Sequence, residues 1–195
     1  MRRRTFDALM VFAGLGLTAI LLVAGVLLNW GHSFVNSDVH NQLAAQKIYF
    51  PPANSPAVKG AQFAPMRQYG GQLLTTGPQA QVYADHFIAI HLSEVAGGKT
   101  YAQVSALAMA NPKNATYAGQ VATLFKGTTL RGMLLNAYGF WKIGQIAGIA
   151  AIFAFAGAGL MLILSFLGLW HLRRVPETDE VLARIGHRAA KVQTA

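Results

Sequence analysis

The sequence predicts an all-α membrane protein: two transmembrane helices with a small helical extracytoplasmic domain between them. Three observations carry this. The run Ile143 to Trp170, IGQIAGIAAIFAFAGAGLMLILSFLGLW, contains no charged residue. It exceeds the roughly 20 apolar residues with which an α-helix crosses the hydrocarbon core of a bilayer. A second uncharged run, Ala8 to Leu28, lies near the start. Between them Asn29 to Lys142 is long enough for a small domain and repeats apolar residues at helical spacing.

Composition points the same way. The 195 residues are 53% hydrophobic and 12% charged, on the membrane side of globular averages. With no cysteine, a disulfide framework, a thiolate metal site and a cysteine nucleophile are excluded. The net charge is +9, and basic ends flanking apolar spans explain part of it. No aromatic and basic stripe accompanies the charge, so nucleic acid is not an expected partner.

Residues 1–7 form a basic cytoplasmic N-terminus. Residues 8–28 form the first transmembrane helix, read as an uncleaved signal anchor: the apolar run is longer than a signal peptide's, and Asn29-Trp30 stands where a small-x-small cleavage site would be. Residues 29–142 are the extracytoplasmic domain, 143–170 the second transmembrane helix, and 171–195 a basic cytoplasmic tail. Arg2, Arg3 and Arg4 before the first span, and Arg173 and Arg174 after the second, place both termini in the cytoplasm. Trp30 and Trp141 mark the outer interface and Trp170 the inner one, where an apolar ring with an N–H suits the headgroup level.

In the middle segment, Gly31 to Phe50 continues the first span outward as helix, with Phe34, Val35, Val39, Leu43 and Ile48 approximating a stripe, and Pro51-Pro52 stops it. Ala53 to Gly77, rich in proline and glycine, reads as an ordered loop with at most a short helix near Met66 to Leu74. Pro78 suits a first helical turn. Gln79 to Ala96 then reads as a central helix, apolar on several sides, ended by Gly97-Gly98. Thr100 to Ala110 and Ala115 to Lys126 are two similar helices expected to pack as a pair. From Thr128 a helix runs into the second span. Beyond Val175-Pro176, Val181, Leu182, Ile185, Ala189 and Val192 give a short apolar stripe that suits an anionic inner leaflet or a solvated tail.

The run Tyr83-Ala84-Asp85-His86-Phe87-Ile88-Ala89-Ile90-His91-Leu92-Ser93-Glu94-Val95-Ala96-Gly97-Gly98-Lys99-Thr100-Tyr101 resembles a largely uncharacterised family of two-span bacterial membrane proteins of the actinobacterial type. Asn29-Trp30 followed by His40, and Arg131-Gly132 through Trp141, fit the same pattern. The resemblance covers most of the chain up to about Leu172. Some members carry the name aromatic ring-opening dioxygenase. The resemblance implies two spans and a helical outer domain, and it transfers no functional residue.

That name can be weighed against the residues. A non-haem iron site uses two histidines and a carboxylate. On a regular helix His91 and Glu94 lie about 60° apart and share a face, whereas His86 lies about 140° from His91. A site therefore needs two helices to meet, for example His40 with His91 and Glu94. No strong metal spacing such as H-E-x-x-H is present, nor a phosphate-binding glycine loop or a G-x-S-x-G elbow. Neither span carries a charge in its apolar core, the usual mark of an ion path.

The second span does have a face of small residues: Gly144, Ala147, Gly148, Ala151, Ala154 and Ala158. Such a face lets helix backbones approach closely in lipid. Its partner is either the first span, through Ala13, Gly14 or Thr18, or another protein. The expected function is a non-enzymatic integral protein of the bacterial plasma membrane, an accessory or scaffold component whose outer domain binds a protein partner. The lipid bilayer, and a membrane complex or homo-oligomer, are the expected partners, with no catalytic residue and no cofactor. The alternative is a metal- or small-ligand-binding sensor or enzyme using the outer histidines.

Overall fold

The computed structural model describes residues 3–174. Arg2 and the apolar stripe of the tail lie outside the described residues. Among those described every regular element is helical. The nearest approach to a sheet is one antiparallel bridge between Tyr49 and Leu73. The elements are α1 (Arg3–Ala45), α2 (Ala64–Arg67), α3 (Gly77–Tyr83), a π-helical segment (Ala84–Ile88), α4 (Ala89–Val95), α5 (Tyr101–Ala110) and α6 (Ala115–Leu172). Two of these helices, α1 with 43 residues and α6 with 58, are long and apolar enough to cross a membrane. At 1.5 Å per residue they run about 65 and about 87 Å, against a hydrocarbon core of about 30 Å. In their most apolar windows only 22% and 11% of the residues are buried. Their apolar side chains thus face outward, as in Phe12, Ile152 and Phe153.

The chain divides into two compact units. One combines the residues up to Gly31 with those from Ala147 onward; the other is His32–Ile146. In the first, Val11, Gly14, Thr18 and Gly25 of α1 are buried, as are Ala151, Ala154, Ala158 and Ser165 of α6. Both rows advance by three, four and seven residues, the seam that lets two helices interlock at a shallow angle. A Cβ added to Gly14 would lie 2.5 Å from the Ser165 hydroxyl, one on Gly25 2.8 Å from the Phe155 ring, and one on Gly168 2.7 Å from Val11. Rising numbers on one helix meet falling numbers on the other, so the pair is antiparallel. Ala151, Ala154 and Ala158 of the expected small face are buried on α6. Gly14 faces Ser165 and Met161, beyond that face; Thr18 is buried and donates to Gly14 O at 2.8 Å, and Ala13 is exposed. Ala147 and Gly148 are half-buried.

In the His32–Ile146 unit several boundaries differ from expectation. Helix α1 ends at Ala45, before Pro51-Pro52. Lys47, at φ 53, takes the left-handed turn that ends it, and the Lys47 N–H donates to Ala44 O. The chain then pairs briefly with residues 71–74: Phe50 N–H donates to Gln72 O at 2.9 Å and Leu74 N–H to Ile48 O at 2.8 Å. The expected short helix near Met66 to Leu74 is one turn and starts earlier, at Ala64, after two 3₁₀ turns, Pro56–Val58 and Ala61–Phe63. The irregular segment nevertheless supplies much of the core. Phe50, Val58, Phe63, Met66 and Leu74 are buried with Val39 and Leu43 of α1 and Leu134 of α6.

The expected helix from Gln79 to Ala96 starts earlier and is not regular. Thr76 caps it through a capping box with Gln79. Inside it Ala84–Ile88 is a π-turn, shown by the Ala89 N–H donating to Ala84 O. Gly97 and Gly98 adopt positive φ, and the Gly98 N–H reaches back to Ser93 O at 2.7 Å, the left-handed C-terminal motif. Thr100 and Gln103 repeat the capping box at α5. Helices α5 and α6 pack through Val104 and Leu124, with the Tyr101 and Phe125 rings 5.8 Å apart. The expected break before Thr128 is absent. Gly127 sits mid-helix against the Leu92 side chain, so its missing side chain serves packing. Asn114, in a glycosylation-like triplet, caps α6 by accepting from Thr116 N–H and Tyr117 N–H.

Candidate functional site

The expected metal candidates come apart. His40 and Glu94 are exposed and His91 is half-buried. No group of three or more His, Asp and Glu side chains is placed to hold a metal ion among the described residues. The π-turn breaks the 100° spacing on which the angular argument rests. It carries Asp85, whose carboxylate accepts from Arg131 of α6 at 2.7 Å, and His86, whose Nδ1–H donates to Gln62 O at 3.1 Å. His91 Nδ1–H donates to Phe87 O at 2.7 Å, and its ring lies 4.4 Å from that of Phe87 and 5.6 Å from that of Phe63.

His32 anchors a network that spacing alone did not reveal. Its Nδ1–H donates to Gly144 O at 2.8 Å, which leaves Nε2 as an acceptor for the Asn36 amide at 3.2 Å. The Asn36 carbonyl in turn accepts from Gln145 at 3.0 Å. The chain of bonds crosses from α1 to α6 and back. It is possible because Gly144 has no side chain: a Cβ there would lie 2.9 Å from Val35 Cγ1. The readable hint was the i, i+4 step from His32 to Asn36 facing a small residue.

The interface tryptophans also divide. Trp30 and Trp170 are exposed, and Arg174 lies 4.0 Å over the Trp170 ring, a cation–π contact. Trp141 instead packs against the core of the His32–Ile146 unit. A Cβ on Gly77 would touch its Cβ and Cγ at 2.5 Å, so Gly77 admits the indole. Arg4, Arg173 and Arg174 are exposed.

One concave feature of this unit is a groove of 540 Å³ between α1 and α6, within the size range of small-molecule pockets. Its floor is the buried or half-buried Val35, Val39, Leu43, Leu134 and Ala137. Exposed Phe34 and Phe140 stand at one end, Ile48 and Leu130 at the other. Asp38, Gln42, Gln46 and Asn136 contribute the polar groups. Asp38 and Gln42 follow one another at i+4 along one edge of α1, Gln46 lies just past its end, and Gln42 donates to Asp38 at 2.7 Å. No lysine or arginine lines the groove.

Burial pushes the Tyr83 hydroxyl above the ordinary tyrosine value of 10.0. The folded chain keeps this phenol neutral where the unfolded chain ionises it. The contribution is fully present below about pH 10 and is lost as pH rises through the higher folded value. Tyr83→Phe is expected to flatten the fall in thermal stability above about pH 10, relative to the parent. Parallel curves for the two proteins would refute this.

Comparison with family models, with curated proteins and with solved structures gives no match for this chain.

Proposed function

We propose that the chain is a non-enzymatic integral protein of a bacterial plasma membrane, crossing it twice with both termini cytoplasmic. In this reading the outer His32–Ile146 unit makes it an accessory or scaffold component that binds a protein partner or a second copy. The observation that carries the reading is the pair α1 and α6. Each is far longer than a bilayer crossing, faces apolar side chains outward along one stretch, and continues into the His32–Ile146 unit. The donation by His32, His86 and His91 to backbone carbonyls is structural work and supports a non-enzymatic role. Tyr101, Met109 and Phe125 are exposed on α5 and α6 and offer a partner surface away from the apolar runs along the chain. Alkaline phosphatase and fluorescent-protein fusions are expected to read cytoplasmic at Arg4 and Ala195 and external at Asn111. An external reading at Ala195 would sink the two-span arrangement. Pull-down after mild solubilisation tests the partner, which Met109→Lys with Phe125→Lys is expected to release.

A further inference from the structure

We propose that the α1–α6 groove binds an elongated organic ammonium ion, with its charged head beside Asp38 and its apolar body over Val39, Leu43 and Leu134. All fourteen residues that line the groove belong to the His32–Ile146 unit. The site is therefore independent of the two-span reading and goes beyond it.

The register of the two helices gathers the groups that would hold the head. Val35 meets Gly144 at one end of the groove. From that contact the lining runs forward along α1 and backward along α6. Phe34 and Asp38 stand one turn apart on α1, and Asn136 and Phe140 one turn apart on α6. Asp38 thus shares the Phe34 and Phe140 end, with Asn136 on the next turn.

Asp38 is the one charged side chain in the lining. Gln42 donates to it at 2.7 Å and steadies the carboxylate at the groove edge, and a carboxylate accepts several bonds at once. An ammonium head has three N–H donors, which suit Asp38 and the Asn136 carbonyl. The exposed rings of Phe34 and Phe140 offer faces that attract a cation. From Val35 to Leu43 the floor then runs about 12 Å at the helical rise. An apolar body laid along it leaves water for aliphatic contact.

Other guests fit less well. An anion would meet Asp38 and find no lysine, arginine or histidine in the lining. A calcium ion takes roughly six to eight oxygens, and among the described residues no three His, Asp and Glu side chains gather to hold a metal. The unit carries eight basic side chains against three acidic ones, so its overall field does not collect cations and the local contacts must select the head. A docked protein helix would meet fourteen lining residues, against roughly 20–30 a side in a stable protein interface.

The test uses the full-length chain in phosphatidylcholine nanodiscs, whose headgroups carry no net charge, with uptake by empty nanodiscs subtracted. Binding of 4-phenylbutylammonium, 4-phenylbutan-1-ol and 4-phenylbutanoate is measured by equilibrium dialysis. The ammonium is expected to bind about fivefold more tightly than the alcohol, the upper range for an exposed charge pair, and the carboxylate most weakly. Asp38→Asn keeps the shape and removes the charge. It is expected to erase the preference for ammonium and to leave the alcohol within about twofold. Phe140→Ala, at an exposed ring, is expected to weaken the ammonium about two- to fivefold. Asn136→Lys, at an exposed position, puts a cation in the lining and is expected to reverse the order of ammonium and carboxylate. Tighter binding of the alcohol or the carboxylate by the parent, or no binding above empty nanodiscs, would overturn the proposal. So would an ammonium preference that survives Asp38→Asn and Asn136→Lys, or one unmoved by Phe140→Ala. The chain has no cysteine, so Met133→Cys at the exposed wall reports on a second copy. A disulfide-linked dimer through it would give the groove to that copy and overturn the ligand.

Discussion

Phe50→Ala is expected to destabilise the His32–Ile146 unit by about 3–5 kcal/mol, the usual loss for a fully buried phenylalanine. Phe50 is 2% exposed. Its ring lies 5.2 Å from that of Tyr69 and 5.3 Å, edge-on, from that of Tyr83. Its N–H and C=O pair with Gln72 and Gly71, so the backbone cannot easily collapse into the space left. The neighbouring Tyr49 is 60% exposed, and Tyr49→Ala is expected to change stability by less than about 1 kcal/mol. Unfolding followed by tyrosine fluorescence in detergent distinguishes the two. Similar losses for both would show that Phe50 does not organise this core.

The long helices were legible because uninterrupted apolar runs leave few alternatives, and the small face on Ile143 to Trp170 announced a close helix contact. Termination was harder. Pro51-Pro52 is a conspicuous stop, but Lys47 stops α1 first, and nothing in a lysine announces positive φ. Gly127 lies between the two helices expected to end at Lys126 and begin at Thr128, and glycine weakens helices. In the structure Leu92 occupies the space a side chain would need there, a tertiary reason invisible to local propensity. The π-turn at Ala84–Ile88 was equally hidden, since it brings Asp85 to Arg131, 46 residues away. The two capping boxes, by contrast, stood in the sequence as Thr76-Gly77-Pro78-Gln79 and Thr100-Tyr101-Ala102-Gln103. They give both helix starts once the T-x-x-Q spacing is sought. For the site, histidines drew attention because of their chemistry. The groove is made of ordinary Val, Leu and Gln side chains whose stripe on α1 was visible, but whose facing wall on α6 was not.

Replacing glycine within one helix is expected to give opposite signs at two positions. Gly132 of α6 is exposed, with open space where a Cβ would stand. Gly132→Ala gains helix propensity and is expected to stabilise by about 0.5–1 kcal/mol. Gly144, twelve residues on in α6, is buried. Its added Cβ would sit 2.9 Å from Val35 Cγ1 and 3.1 Å from Val35 Cβ. A β-branched side chain cannot swing aside at χ1, so the two backbones must separate. Separation also lengthens the 2.8 Å bond from His32 to Gly144 O, and with it the support for Asn36 and Gln145. The propensity gain is outweighed by overpacking of about 1–3 kcal/mol and by a lost hydrogen bond worth about 0.5–1.5 kcal/mol. Gly144→Ala is therefore expected to destabilise, and Gly144→Leu to do so more strongly. His32→Ala should cost the parent more than it costs Gly144→Leu, since two changes at one contact do not add. Thermal midpoints of the parent, the four single variants and the double variant, in one detergent, decide the matter. Equal effects at positions 132 and 144 would mean that α1 and α6 do not meet through this glycine.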